Sequence, residues 1–275
     1  MVTRWSAYGI YPNRYDNDNR GREGGWNIGA PRQHTASSRL LRLDALWGFR
    51  MSRLYALATI LIALLTPTLL ALLGVRLLMS VPYLALAYRL PNFPADPYGF
   101  TLEDRLRYAP YAVQFLVNGA PPAFLADLTF ADGALLFNPR EVQHMVDVQQ
   151  VTGAALLALA LLSALSALGA ALLARSPEGR AALRRGLRGG ALLTWALLAA
   201  LVTYIFLDWD HFFDAFHDLF FAEGTWRFLM SDTLIRLFPI RFWQDAALIL
   251  GGFCTLGALL IYLAAQRWTR HSLKR

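Results

Sequence analysis

The sequence has little charge and almost no cysteine. Only 16% of its 275 residues are charged, and Cys254 is its single cysteine. With no second thiol in the chain, Cys254 has no disulfide partner, and we interpret it as a small packing residue. The apolar segments lack the alternation of barrel strands, no internal repeat is visible, and we expect no cleaved signal peptide. These absences exclude a membrane β-barrel and a repeat architecture.

Long apolar runs are what the sequence has instead, and hydrophobic residues make up 56% of the chain. A bilayer core about 30 Å thick is crossed by about 20 helical residues at about 1.5 Å each. Four runs approach that length, at residues 54–75, 151–174, 190–207 and 245–265. The sequence therefore predicts an all-α integral membrane protein, a bundle of four transmembrane helices. The glycines expected to let these helices approach closely are Gly153, Gly169, Gly251, Gly252 and Gly257.

The basic residues indicate the orientation of the bundle. Residues 1–53, residues 175–189 and the tail after Ala265 together hold 18 of the 26 Lys and Arg residues. Because basic residues are retained on the cytoplasmic side, we predict that both termini are cytoplasmic and that the long loops 76–150 and 208–244 are extracytoplasmic. This bias also accounts for the net charge of +7 without a nucleic-acid partner.

The first 50 residues differ in kind from the rest. They are rich in Gly, Asn and Arg and show no apolar period, so we predict a disordered basic extension over residues 1–50. Met51 directly precedes the first span and offers an alternative translation start, which would leave that extension untranslated. Residues 51–275 then form the four-span domain. Its two outer loops are too long for simple connectors, and we predict that they form a cap on the extracytoplasmic surface.

Two histidines fall at the predicted membrane boundary. Asn138 followed by Pro139 is typical of a helix start, and a helix running from there into the second span carries His144 about 10 Å outside the hydrocarbon. The stretch DWDHFFDAFHDLFF, at residues 208–221, follows the third span and places His217 about 15 Å beyond it. Both histidines are therefore candidates for acid/base chemistry near the depth of lipid carbonyl groups.

Less specific interpretations of the same residues are open. An interfacial histidine beside an acid is often a hydrogen-bonded residue at a helix end, and an aromatic run is often an interfacial belt. Glu141 and His144 form a Glu-x-x-His unit, which with Asp and His on another helix resembles carboxylate-bridged metal centres. Such centres use two of these units and this chain has one, so we expect no metal ion and no cofactor.

Two sequence blocks resemble a known family. They are EVQHMVDVQ, at residues 141–149, and FHDLFFAEGTWRFLMSDTLIRLFPIRFW, at residues 216–243. Both are similar to blocks of the bacterial lipoprotein intramolecular transacylases, the Lit family, whose members are four-helix membrane proteins. The matching positions are Glu141, His144, Asp147, Val148, Phe216, His217, Phe220, Phe221, Trp226, Asp232 and Pro239.

The resemblance implies an acyltransferase that moves the sn-2 acyl chain of a diacylglyceryl-cysteine lipoprotein onto the cysteine's own amine, giving a lyso-form lipoprotein. It implies His144 and His217 as catalytic residues. We assign His144 as general base and His217 as acid or electrophile, two roles that could be exchanged. The further assignments are orienting roles for Glu141, Asp147 and Asp214 and substrate contacts by Phe216, Phe220, Phe221, Trp226 and Asp232.

The implied partners are diacylated bacterial lipoproteins and membrane phospholipid. The implied location is the bacterial cytoplasmic membrane, with the active site on its extracytoplasmic side. The alternative function is that of a non-catalytic protein of the same fold, which binds lipid or a partner protein through the same groove.

Overall fold

A computed structural model describes the backbone of residues 34–272 and the side chains of residues 50–268. Within this part of the chain the secondary structure is helical, and the nearest approach to a sheet is one isolated bridge between Thr129 and Leu135. The helices are α1 (His34–Leu78), α2 (Val81–Ala87), α3 (Leu102–Asn118), α4 (Ala123–Ala126), α5 (Pro139–Leu173), α6 (Pro177–Leu207), α7 (Trp209–Phe220), α8 (Thr233–Leu237) and α9 (Ile240–Ser272).

The four predicted membrane spans are confirmed. The helices long and apolar enough to cross a bilayer lie at Arg50–Leu78, Pro139–Leu173, Pro177–Leu207 and Ile240–Trp268. Each is longer than its apolar run because the helix continues into the polar residues at one or both ends. The predicted start of α5 is also confirmed, since Asn138 caps the helix and Pro139 is its first residue.

The beginning of α1 differs from the prediction. Residues 34–50 are helical, although we predicted disorder over residues 1–50. The segment from residue 34 to residue 47 contains neither Gly nor Pro and is rich in Leu, Arg and Ala, which are strong helix formers. Residues 1–33 lie outside the described residues, so their predicted disorder and the alternative start at Met51 stay predictions.

Close packing between the spans occurs at α6 and α9. A Cβ atom built on Gly190 would lie 2.5 Å from the Cβ of Thr66 on α1, and one built on Gly186 would lie 2.7 Å from the Cβ of Ile62. Gly257 approaches Leu70 equally closely, as predicted for that glycine. The prediction was wrong for four other glycines, around which no described heavy atom lies within 4 Å of an added Cβ: Gly153, Gly169, Gly251 and Gly252.

Replacing Gly190 by leucine is expected to destabilise the protein. The added side chain meets Thr66 and the backbone of Ala63, and overpacking of this kind costs about 1–3 kcal/mol of unfolding free energy. This outweighs the gain of up to about 1 kcal/mol in helix propensity on replacing glycine. The midpoint of thermal unfolding in detergent should fall. Gly153→Leu is the matched control, since its side chain enters open space, and an equal fall in both variants would contradict the packing argument.

The loops between spans 1 and 2 and between spans 3 and 4 form a cap with its own hydrophobic core, as predicted. Its core contains Leu84 of α2, Phe115 of α3, Phe137 beside α5 and Leu237 of α8, each at most 1% exposed. The long loops are therefore folded helical structure. α8 and the first turns of α5 and α9 contribute to this core, so the cap sets the position of the first turn of α5, which leads to His144.

Candidate active site

The site rests on a hydrogen-bonded joint between the start of α5 and the start of α8. The buried carboxylate of Glu141, whose residue is 1% exposed, accepts the backbone N–H of Leu234 at 2.6 Å and that of Asn138 at 2.7 Å. Asp232 accepts the side-chain amide of Asn138 at 3.2 Å and the backbone N–H of Leu229 at 2.8 Å. Two of these bonds, from Leu234 to Glu141 and from Asn138 to Asp232, join segments that lie more than ninety residues apart in the sequence.

This joint changes the roles assigned to two acids. Both oxygens of Glu141 bond to backbone N–H groups, and no described hydrogen bond joins Glu141 to His144. The predicted orienting contact is therefore not made: Glu141 holds α5 in place one turn before the histidine. Both oxygens of Asp232 likewise accept hydrogen bonds within the protein, which gives this residue a structural role in the turn before α8. Its assigned substrate contact stays a prediction.

His144 lies in an aromatic environment on α5. Its ring meets Phe221 edge-on at a centroid distance of 5.0 Å and Phe228 at 5.4 Å. Its Nδ1 atom is buried and has no hydrogen-bond partner among the described residues. Asp147, assigned to orient it, accepts a hydrogen bond from the side chain of Gln143 at 3.0 Å. The imidazole thus has one buried polar atom that no described hydrogen bond satisfies.

His217, on α7, has a defined tautomer. Its Nδ1 lies 2.7 Å from the carbonyl oxygen of Phe213, one turn earlier. A carbonyl oxygen can only accept, so Nδ1 carries the hydrogen, and in the neutral ring Nε2 holds the lone pair. Burial lowers the pKa of His217 below its ordinary value, while the bond to Phe213 and the charges of Asp214 and Asp218 act in the opposite direction. The ring is therefore neutral at neutral pH, with Nε2 able to accept a proton.

The structure brings the two histidines together. Phe221 lies 5.0 Å from the His144 ring and 6.0 Å from the His217 ring, measured between ring centroids. One imidazole comes from α5, which is a membrane span, and the other from α7, which follows a different span. Both imidazoles therefore lie beside the Phe221 ring, and we call the region formed by these three residues the histidine cleft.

Trp226 packs against the ring of His217. The indole stacks on the imidazole at 4.6 Å, with 29° between the ring planes, and its N–H donates to Asp218 at 3.0 Å. Arg227 lies over the same indole at 4.9 Å and donates to Asp214 at 2.9 Å. Trp226 is only 7% exposed, so the structure places it as a platform for His217 and not along an open acyl-chain path.

The other predicted substrate contacts separate into two groups. Phe221 lies between the histidines, whereas Phe216 and Phe220 are 49% and 44% exposed. α7 has no buried residue and carries apolar side chains along one face, which is typical of a helix lying in the membrane interface. Phe216 and Phe220 are thus available to lipid, while Phe221 shapes the cleft itself.

Sequence analysis missed three contacts in the cleft. Asp218 belongs to the aspartate-rich stretch at residues 208–221 but was given no role. Phe228 and Arg140 carried no recognisable signal. Arg140 reaches from α5 to the carbonyl oxygen of Arg227 at 3.0 Å, and its guanidinium lies 5.7 Å from the centre of the Phe228 ring. It therefore connects α5 to the turn that carries Trp226. Among the described residues no group of three or more His, Cys, Asp and Glu side chains is arranged to hold a metal ion.

Four helices able to span a bilayer and a helical cap define an integral membrane protein, in which two imidazoles lie beside one phenylalanine ring. The family model "Lipoprotein intramolecular transacylase Lit" matches residues 55–243, which is more than half of the chain. The chain belongs to the Lit family of lipoprotein intramolecular transacylases. It is a membrane acyltransferase of a family that acts on lipoproteins.

Individual relatives agree with this family. An uncharacterized protein of Aquifex aeolicus (strain VF5) is 27% identical over 195 residues, which cover 69% of this chain and 84% of that protein. A structure of Lit from Bacillus cereus, obtained in meso, superposes with a TM-score of 0.63 at 21% identity and covers 82% of this chain and 100% of the other. A single-residue variant of that protein gives a TM-score of 0.61, also at 21% identity, with coverage of 85% and 98%. These structures have the same fold.

Proposed function

We propose that this protein moves the sn-2 acyl chain of a diacylglyceryl-modified N-terminal cysteine onto the α-amine of that cysteine, producing a lyso-form lipoprotein. The observation that supports this proposal is the pairing of His144 and His217 across Phe221 in a member of this family. The reaction joins an amine to an ester of the same molecule, so positioning supplies much of the rate and no activated donor or cofactor is needed.

His217 is suited to be the general base. An α-amine has an ordinary pKa of about 8, so it must lose a proton before or during attack on the ester. The Nε2 lone pair of His217 takes that proton. The resulting imidazolium is stabilised by the Phe213 carbonyl, by the charges of Asp214 and Asp218, and by the indole face of Trp226.

His144 is suited to stabilise the intermediate. When the amine nitrogen bonds to the acyl carbon, negative charge develops on the carbonyl oxygen, and the imidazole of His144 donates its N–H to that oxygen. The bond between the acyl carbon and the sn-2 oxygen then breaks, and the imidazolium of His217 returns its proton to the departing alkoxide, which stays on the sn-2 carbon. This scheme exchanges the two roles assigned from the sequence, because the hydrogen bond to Phe213 prepares His217 to accept a proton at Nε2.

The proposed location is the bacterial cytoplasmic membrane, with both termini in the cytoplasm and the histidine cleft on the extracytoplasmic side. The basic residues at the start of α6, among them Arg184, Arg185 and Arg188, support this orientation because they lie at the end of the bundle opposite the cap. Diacylated lipoproteins are the proposed substrates.

Mass spectrometry tests the proposed function directly. A model lipoprotein is co-expressed with this chain, and its N-terminal peptide is isolated and fragmented. We expect one acyl group on the cysteine amine and one ester fewer on the glyceryl group. An N-terminal peptide that keeps both esters and a free amine, although the protein is correctly inserted in the membrane, would show that this chain does not catalyse the transfer.

The pH dependence of the rate tests the role of His217. If this histidine is the base, the rate rises with pH through its pKa and levels off above it, and burial places this rise below about pH 6.5, the ordinary histidine value. Asp214 raises the pKa of His217, so Asp214→Asn should move the rise to lower pH. Initial rates on a synthetic diacylglyceryl-cysteine peptide measure the shift. Asp210→Asn is the control, and a shift to higher pH in Asp214→Asn would contradict the assignment.

A further inference from the structure

A cavity of about 280 Å³ lies where the cap meets the first turn of α9. Its wall contains three arginines, Arg105, Arg236 and Arg241, and one carboxylate, Asp96. Apolar side chains complete it, among them Met230, Ile235 and Ile240. None of these residues belongs to the histidine cleft, and the proposed acyl transfer uses none of them.

Arg105 is a buried cation without a carboxylate of its own among the described residues. It is 6% exposed, and its guanidinium donates to the carbonyl oxygens of Pro94 at 2.8 Å and Arg236 at 3.3 Å. The neighbouring carboxylate, Asp96, is bound by Arg236, whose Nε and Nη2 both lie 3.0 Å from it. Two guanidinium groups thus share one carboxylate in the wall of the cavity.

The third arginine, Arg241, does not change the net charge of the cavity wall, because it has a carboxylate partner. Nε of Arg241 lies 2.9 Å from both oxygens of Asp245, which is 5% exposed. Asp104 is half-buried, bonds to Thr101 at the start of α3 and is not part of the cavity wall. Three guanidinium groups and two buried carboxylates leave one positive charge. Burying a charge without a counterion is costly, and burial accordingly lowers the pKa of Arg105.

The cavity lies at the level of lipid headgroups. Ile240 and Arg241 are the first residues of the stretch Ile240–Trp268 that is able to cross the membrane. Below them on α9, Leu248 is 75% exposed, seven residues or about 10 Å further along the helix from Arg241. A molecule with its anionic group in the cavity would therefore have apolar helix surface directly beneath it.

We infer that this cavity binds the phosphodiester group of an anionic phospholipid, with the acyl chains lying along α9. A phosphodiester carries one negative charge, which matches the single unbalanced positive charge of the wall. Guanidinium groups bind phosphate oxygens through charge-assisted and often bidentate hydrogen bonds. The bound lipid would join the cap to the bundle at the point where α9 begins.

Lipid titration with paired variants of Ile235 tests this site. Ile235 is half-buried in the cavity wall, so Ile235→Glu adds a carboxylate that competes with the phosphate, and Ile235→Gln adds a neutral group of the same shape. Binding of phosphatidylglycerol to the detergent-purified full chain is measured by native mass spectrometry. We expect Ile235→Glu to weaken binding about tenfold or more, the loss of one charge-assisted hydrogen bond, and Ile235→Gln to bind like the parent chain.

Two further probes identify the ligand chemistry. Diacylglycerol, which has no phosphate, should bind much more weakly than phosphatidylglycerol, and glycerol phosphate should compete poorly because it has no acyl chains. Equal affinity for diacylglycerol, or equal binding by both Ile235 variants, would overturn the proposal, as would glycerol phosphate binding as tightly as the lipid. If Ile235→Glu unfolds, Met230→Glu and Met230→Gln give the same comparison at a residue that is 64% exposed.

Discussion

Alanine in place of His217 is expected to slow acyl transfer by about 100- to 10,000-fold, the range for loss of a general acid or base. Without this imidazole the scheme has no group to take the amine proton and return it to the alkoxide, because His144 donates to the acyl oxygen. The helix should still form, because α7 has no buried residue and His217 is only half-buried. The measurement is the rate of acyl migration in the N-terminal peptide of a model lipoprotein, with membrane insertion checked in parallel.

His144→Ala should cause a loss of similar size, since oxyanion stabilisation by one donor is worth about 100- to 1,000-fold. If the two imidazoles act in one step, the double variant should lose little beyond the more damaging single variant. His211→Ala is the matched control on α7, because this exposed histidine contacts Tyr204 and lies outside the cleft. Parental rates for His144→Ala or His217→Ala would refute the two-histidine scheme.

Alanine at Glu141 is expected to destabilise the fold by about 3–6 kcal/mol. The substitution leaves the backbone N–H groups of Leu234 and Asn138 buried without acceptors, at about 1–3 kcal/mol each, and it opens a cavity in addition. Since domains are stable by about 5–15 kcal/mol, much of the stability should be lost. The readouts are the unfolding midpoint in detergent and the amount of protein recovered from membranes.

The Glu141→Gln variant separates the effect of losing the side chain from the effect of losing its charge. Glutamine keeps one carbonyl acceptor but turns an NH₂ group toward the second backbone N–H, so its loss of stability should be intermediate. Glu103→Ala is the control, since this glutamate lies in the exposed first turn of α3. A Glu141→Ala protein with the parental unfolding midpoint and no activity would restore the orienting role that sequence analysis gave this residue.

Much of the architecture was readable from the sequence. The four spans follow from the lengths of the apolar runs, because lipid requires every backbone polar group to be bonded within the helix. The start of α5 follows from Asn138 and Pro139, whose capping chemistry is local. The depth predicted for His217 assumed that the third span continues past Leu207, whereas α6 ends there and α7 is a separate helix after the extended residue Asp208. Helical rise from the span therefore does not give the depth of His217.

The partners of buried polar groups were not readable in the same way. Glu141 has the right spacing to face His144, yet its carboxylate bonds to Leu234, 93 residues away. Trp226 was assigned a substrate contact from the sequence, yet its indole stacks on His217 and donates to Asp218. Helical periodicity predicts which residues share a face of a helix, but it does not predict which backbone group or aromatic ring of another segment contacts that face.

The sequence by itself determined the class of protein and the number of spans, because these depend on chain-local hydrophobicity and on the length of helix needed to cross a bilayer. Only the tertiary structure decided which glycines touch a neighbouring helix, which acid holds α5 to α8, and which histidine nitrogen carries the proton. Each of these depends on contacts between segments far apart in the chain, or on a ring orientation, and neither is encoded in residue spacing.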